Sequence, residues 1–526
     1  MLKKVMNLGR LLSDVARRYP NEPGLIISGD RTWTWREIDA RVNAAAQALR
    51  ALGIRKGDRI LVHSRNNLQL FESGWIAFKL GAVWVPTNYR ITAPEAAYLG
   101  RSSGAAVMIY DSGFENHVDA VRQASTALRQ VISLGAPRAG ELQYEDLLLR
   151  HAGQTCDEAE VEFEDPLWFF YTSGTTGQPK AGILSHGQMA FVITNHLADL
   201  MPGLTYRSRS LVVAPLSHGA GVHAMVNTAR GAASVLLPSE KLDPESVWQA
   251  VEEYKIDNMF TVPTIVKMLV EHESVDRHDH SSLKHVIYAG APMYREDQKA
   301  ALRKLGKVLV QYYGLGEVTG NITVLPPDMH TDDDAALDAR VGTCGLPRTG
   351  MEIAILDEAG KRLGPRASGE ICVRGLAVFM GYHDNPDATA QAFKDDWFHT
   401  GDVGHVDEQG FLYITGRRSD MYISGGANVY PREIEEALMT HPAVSEAAVL
   451  GVPDPKWGES GLAVVVPKNG ARAAPEELFG HLEARIARYK WPRRFVFWEA
   501  MPKSGYGKIV KKEIKALLEK QGEYRL

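Results

Sequence analysis

The run "ASVLLP" (233–238), followed shortly by "DPESVWQAVEEY" (243–254), reads as a strand and then a helix. The first is a short apolar run closed by proline, the pattern of a buried strand. In the second, Asp243 is placed to cap a helix whose first position is Pro244, where the missing N–H costs nothing. The same alternation spreads outward from there. Upstream lie "DRILVHS" (58–64) and "SLVVAPL" (210–216), and downstream "HVIYAGAP" (285–292) and "KVLVQYYG" (307–314), with helical segments between them. Nearer the N-terminus, "TWREIDARVNAAAQALRALG" spaces Thr34 and Glu37 as a capping box. Ile38, Val42, Ala45, Leu49 and Leu52 follow at helical intervals, and Gly53 closes the helix. Strands that alternate with helices imply a mostly parallel sheet in an α/β fold.

From about residue 341 the texture changes. "MEIAILDEAGKRLGPRASGEICVRG" has short strands and Gly/Pro turns, which reads as an antiparallel or barrel-like piece. "GRRSDMYISGG" (416–426) interrupts with charge and glycine. The last hundred residues read as a small α+β domain: helix "REIEEALMTHP", strands "VSEAAVLGVPD" and "GLAVVVP", helix "EELFGHLEARIARY".

A chain of 526 residues is too long for one core, so at least two domains are expected. Net charge −5 argues against nucleic acid as a partner and makes any anion site local. Cys156, Cys344 and Cys372 are odd in number and far apart, with neither metal spacing nor a disulfide framework, which fits a reducing cytoplasm. No run approaches the ~20 apolar residues of a membrane span. Leu8, Leu11, Leu12 and Val15 read as a core-facing helix rather than a lipid-facing one.

Chemistry enters with "YTSGTTGQPK" (171–180), which leaves the apolar run Leu167 to Phe170 for hydroxyls, glycines and one ammonium. Glycines let backbone N–H groups approach an oxyanion, hydroxyls donate, and Lys180 adds charge. It is not the Walker pattern, because no Lys-Ser/Thr follows the last glycine at the required spacing. Four more stretches sharpen the reading. In "QYYGLGE" (311–317), Tyr312 or Tyr313 could stack on a purine and Glu317 could hold Mg²⁺. "WFHTGDVG" (397–404) sets Asp402 in a turn suited to a ribose diol. The charged, glycine-rich junction of 413–435 follows, and "MPKSGYGKI" (501–509) presents Lys508.

In this order, over residues 8 to 520, these motifs resemble the adenylate-forming superfamily of acyl-CoA synthetases, aryl-CoA ligases, luciferases and adenylation domains. The resemblance implies a large N-terminal domain of layered α/β sheets (1–416), a hinge at 417–420 and a small mobile C-terminal domain (421–526). It implies that Thr172, Ser173, Gly174, Thr175, Thr176, Gly177 and Lys180 cradle the triphosphate of ATP. Ala289, Gly290, Ala291 and Pro292, with Gln311, Tyr312, Tyr313 and Gly314, would hold adenine. Asp402 and Arg417 would hold ribose, Glu317 and Thr172 Mg²⁺, and Lys508 would bridge the carboxylate and the α-phosphate. After the first half-reaction the C-terminal domain would rotate, taking Lys508 out and bringing Ser424, Gly425 and Gly426 in to line a pantetheine tunnel.

Such residues are needed because an anion must attack an anion. Two unit charges 4 Å apart repel by roughly 4 kcal/mol at an effective dielectric of 20, about a thousandfold in rate. A cation and a lysine offset that, and positioning does the rest.

Coenzyme A is the expected thiol acceptor. Trp457 matches the aromatic that such ligases set against the CoA adenine, and Arg493, its neighbours in "YKWPRR" (489–494) and Arg90 supply cations for the CoA phosphates. In "PLSHGAG" (215–221), Ser217 stands where amino-acid-activating relatives carry Asp, so a free α-amine is not expected. His218 would gate or wall the carboxylate pocket, with Ala220, Gly221, Val222, Thr264, Met268, Ala289 and Gly290 as its lining. That lining fits a medium- or long-chain fatty acid, with an aryl or cinnamyl acid as the alternative. Arg230 reads as a helix-end residue or, for a malonate-like acid, a partner for a second carboxylate. Three positions depart from the pattern: Gly316 where Thr is usual, with Thr319 as the candidate substitute hydroxyl; Ser419 at the hinge; and Ala181. Two other readings stay open, a stand-alone adenylation enzyme loading a carrier protein and a silent nucleotide-binding protein. A homodimer is compatible with any of them.

Overall fold

The structure is a computed structural model and describes residues 3–172, 178–239, 241–336, 339–468, 471, 473–483, 485–503 and 509–525. Its centre is the sheet that the strand–helix alternation implies. Leu309–Tyr313, His285–Tyr288, Asn258–Thr261, Arg209–Val212, Ala233–Leu236 and Pro23–Ile27 lie side by side, and every neighbouring pair is parallel. Helices such as Pro244–Tyr254 make the crossovers, that one capped by the Asp243 side chain. Helix Trp35–Ala51 starts at the Thr34–Glu37 capping box. The strand beginning at Arg209 ends at Val212, short of the 210–216 reading. Asn66 explains part of the difference, because its side-chain amide takes the Ala214 carbonyl and the Leu216 N–H.

A second sheet of seven strands contains Lys180–Ser185 and Pro166–Thr172, which pair antiparallel with Thr172 opposite Lys180. Alternation on Pro166–Thr172 sends Trp168 and Phe170 into one core and Phe169 into another, so the strand is buried on both faces. The antiparallel region from residue 343 onward is hydrogen-bonded onto the large sheet through Thr323–Leu325 and Thr343–Pro347. A third sheet of five strands begins at Tyr422–Ser424, so the chain changes sheet between Arg417 and Tyr422. Its helices are Pro431–Met439, Pro475–Glu483 and Lys511–Lys520, the last not anticipated from the sequence. The architecture is mixed α/β: a large N-terminal part of layered sheets and a small C-terminal domain.

Leu8, Leu12 and Val15 are fully buried around helix Arg10–Arg18, as a core-facing helix requires. Among the described residues no helix is long and apolar enough to cross a membrane. All three cysteines are buried free thiols.

Candidate functional site

Strand geometry assembles one cluster at the end of Pro166–Thr172. Thr172 shares a face with Trp168 and Phe170, and its hydroxyl donates to Glu317 Oε1 at 2.9 Å. The Tyr382 hydroxyl donates to the same oxygen at 2.9 Å, and the Glu317 carbonyl accepts from Phe379 N–H at 2.7 Å. Glu317 is buried. Burial, then the adjacent carboxylate, pushes the Tyr382 phenol above its ordinary range, so it stays a donor. The Lys180 ammonium sits 5.2 Å over the Tyr382 ring. Thr172 and Lys180 therefore stand opposite each other on paired strands, the first bonded to Glu317 and the second over its partner Tyr382. Ser173, Gly174, Thr175, Thr176 and Gly177, between them, lie outside the described residues, as does Lys508. Tyr382 was not found by sequence reasoning, because it belongs to no motif and reaches Glu317 only through the fold.

The neighbouring cluster forms across two paired strands. Asp402 stands opposite Arg417 in register, and Arg417 Nε donates to Asp402 Oδ1 at 2.9 Å. The Tyr313 hydroxyl donates to Asp402 Oδ2 at 2.6 Å. Burial and then Asp402 hold the Tyr313 phenol well above its ordinary range. Burial opposes the Arg417 charge, yet Asp402 and Tyr313 keep its pKa above the usual value. Successive strand residues face opposite ways, and here that separates the two tyrosines. Tyr313 joins Asp402, whereas Tyr312 stacks on Phe260 (ring centroids 6.0 Å) and meets His196 edge-on at 6.1 Å. Gln311 accepts from the Tyr288 hydroxyl at 2.9 Å. Gly290 (φ 83°) and Pro292 are exposed and Ala291 half-buried. Gly314 packs so tightly on Gly320 that a Cβ would stand 2.5 Å from the Gly320 Cα.

His218 precedes helix Gly219–Arg230, with its ring 4.5 Å from that of Phe170. Ala220, Val222 and Ala289 are buried. At Gly221 a Cβ would come 2.1 Å from the Leu216 carbonyl oxygen, so glycine is required. Gly221 also walls an apolar cavity toward Trp75, Phe78 and Trp84. Thr264 is exposed and Met268 half-buried on helix Pro263–Glu271. Arg230 is exposed in the last turn of its helix, which favours the helix-end reading. Thr319 is buried with φ 49°, and its hydroxyl donates to the Val318 carbonyl at 2.7 Å, so it is already engaged.

A third cluster lies in the C-terminal sheet. Ser424 pairs with Gly458, and Gly425 N–H bonds the Trp457 carbonyl at 2.9 Å. A Cβ on Gly425 (φ 58°) would meet the Trp457 ring at 2.8 Å. Gly426 follows at φ 83°. Trp457 is 37% exposed, with Lys456 Nζ 4.9 Å and the Arg493 guanidinium 5.8 Å from its ring. An exposed indole flanked by two cations is poised to take an aromatic group carrying negative charge.

The chain matches the AMP-binding enzyme family over residues 12–383 and the AMP-binding enzyme C-terminal domain over 433–508. It is 35% identical over 489 residues to a feruloyl-CoA synthase from Amycolatopsis, covering 93% of this chain and 94% of that protein. It is 33% identical over 510 residues to the long-chain-fatty-acid–CoA ligase FadD13 of Mycobacterium tuberculosis, covering 96% and 97%. Its structure is similar to that of the anthranilate CoA ligase AuaEII in complex with anthranoyl-AMP, with a TM-score of 0.89, 25% identity and 98% of each chain covered. With both family regions matched in order along one chain, this protein belongs to the AMP-binding enzyme family, within the adenylate-forming superfamily of AMP-forming acid–thiol ligases.

Proposed function

We propose that the protein joins a carboxylic acid to coenzyme A in two steps. The carboxylate attacks the α-phosphorus of ATP, giving an acyl-adenylate and pyrophosphate. The CoA thiol then attacks the acyl carbon, giving acyl-CoA and AMP. The observation that supports this most is the convergence of Thr172 and Tyr382 on Glu317 at the end of strand Pro166–Thr172. Among the described residues both hydroxyls bond Oε1, which leaves Oε2 toward an oxygen-preferring cation such as Mg²⁺. When bound, that cation supplies charge neutralisation at the phosphates.

In this reading residues 173–177 and Lys180 hold the triphosphate, and Asp402 and Arg417 grip the ribose diol. Tyr313, not Tyr312, serves the nucleotide side, and Tyr312 turns toward the acid. The sheet change at 417–422 is the hinge between a domain ending at about 416 and one starting at about 421. Lys508 contacts the carboxylate in the first step and Ser424–Gly426 the pantetheine in the second. Trp457 and Arg493 receive the CoA nucleotide.

The acid itself is compact and aryl-like in this proposal. Phe170 lies against His218, and Phe260 lies where a side chain at Gly219 would stand, so rings close the space behind the helix N-terminus. The apolar cavity beside Gly221 favours an alkyl chain as the second reading. Mass spectrometry of purified protein with ATP, Mg²⁺, CoA and a panel of alkyl, aryl, cinnamyl and dicarboxylic acids tests both. Acyl-CoA with AMP establishes the ligase and names the tail. Acyl-adenylate without acyl-CoA would instead indicate a carrier protein as acceptor.

A further inference from the structure

Behind Tyr312 lies a patch of buried polar atoms with too few partners. Arg348 is 1% exposed, and its Nε and Nη1 have no hydrogen-bond partner. Nη2 lies 3.2 Å from His196 Nδ1, but that nitrogen is also 3.0 Å from the Val192 carbonyl. Burial keeps His196 neutral, so Nδ1 either accepts from Arg348 or donates to Val192, not both. Asp199 is the nearest carboxylate, 3.8 Å from Nε. Its two oxygens already accept the Thr349 N–H and hydroxyl at 2.8 and 2.9 Å.

The surroundings repeat the deficit. Asn195 donates to the Thr349 carbonyl at 2.6 Å, yet its Oδ1 is buried without a partner. Asn321 precedes Ile322, whose carbonyl takes the Arg348 N–H, and both of its side-chain amide atoms are buried and unpaired. Burial pushes Arg348 down to about 9, which leaves it charged at neutral pH. Asp199 supplies a counter-charge at 3.8 Å, yet Nε and Nη1 remain without an acceptor, and buried donors left unpaired call for one. Tyr312 meets His196 edge-on at 6.1 Å and stacks on Phe260 at 6.0 Å, and in the proposed function these two rings border the acid.

We propose that Arg348 anchors the distal carboxylate of a dicarboxylic acid substrate. The first carboxylate is activated near His218 and the second is read by Arg348, with Tyr312 between them. This rests on the acid–CoA ligase reading. It also moves the second-carboxylate role from Arg230, which is exposed at a helix end, to Arg348, which directly follows strand Thr343–Pro347.

The test compares matched pairs, hexanoate with adipate and cinnamate with 4-carboxycinnamate, in wild type and Arg348→Met. A charge-assisted contact predicts a wild-type kcat/KM at least ~10-fold higher for the diacid of one pair, carried by KM. Arg348→Met should erase that preference and retain monoacid turnover. Its Tm is expected to fall, because Asp199 loses its ion-pair partner. The favoured diacid alone should raise the Tm of wild type and not of the variant. A wild-type preference for the monoacid in both pairs, or equal loss of both substrates in Arg348→Met, overturns the proposal. If the variant does not fold, the wild-type preference decides alone. Thioester formation from monoacids without diacid preference sinks this inference and leaves the ligase reading intact, whereas no thioester from any acid sinks both.

Discussion

Gly316 and Phe170 share one space. A Cβ built on Gly316 would stand 2.8 Å from two carbons of the Phe170 ring and 2.7 Å from Thr172 Cγ2. The glycine is therefore coupled to the bulk of Phe170, and restoring the more usual threonine would displace both neighbours. Gly316→Thr should lower kcat/KM by about 10-fold or more, because overpacking shifts Thr172 and with it Glu317. Pairing it with Phe170→Val should recover most of that loss. Acid-dependent pyrophosphate exchange on the two single variants and the double variant measures the coupling. A gain of activity from Gly316→Thr alone would contradict it.

Asp402 accepts from both Arg417 and Tyr313. Asp402→Asn should raise the KM for ATP about 10- to 100-fold, since a charge-assisted acceptor is lost. Tyr313→Phe, which removes one donor and keeps the ring, should raise it less. Initial rates against ATP at saturating acid decide; equal KM values for wild type and Asp402→Asn would remove the nucleotide role.

Trp457 lies in the third cluster, beside Gly425, Lys456 and Arg493. Trp457→Ala should raise the KM for CoA by about 5- to 30-fold, the worth of a stacked, cation-flanked ring. Pyrophosphate exchange without CoA should be unaffected. A matching loss in exchange would show that Trp457 supports the fold rather than the thiol substrate.

Acid should unfold the protein through buried histidines. Burial pushes His63 down to about 3 and His186, His223 and His330 down to about 4, against an ordinary 6.5. All four are buried. The folded-state values lie below the unfolded one, so this stability is fully present above pH 6.5 and is lost as pH falls toward 4. Each histidine contributes about 1–3 kcal/mol by pH 4. Thermal melts should be flat above pH 6.5 and drop steeply below it, and His223→Gln should lessen the slope. An unchanged Tm between pH 6.5 and 4.5 would contradict this.

Much of this was legible in the sequence because its cues are local. Asp243–Pro244 and the Thr34–Glu37 box mark helix starts by their own side chains, and the helices stand where they point. The resemblance names Asp402 and Arg417 together for the ribose, and strand register sets the two side by side. What escaped depends on direction and distance. Adjacent Tyr312 and Tyr313 look interchangeable in a string, but strand alternation sends one to Phe260 and the other to Asp402. Tyr382 and Arg348 belong to no motif, and only packing from distant segments gives the first its carboxylate and the second its burial.

The most direct measurement follows the oxygen. The preferred acid, labelled with ¹⁸O in its carboxylate, is converted with ATP and CoA, and the nucleotide and phosphate products are weighed by mass spectrometry. Attack of the carboxylate on the α-phosphorus followed by thiol attack on the acyl carbon predicts one ¹⁸O in AMP and none in pyrophosphate. Label in inorganic phosphate, with ADP as the nucleotide product, would contradict the account.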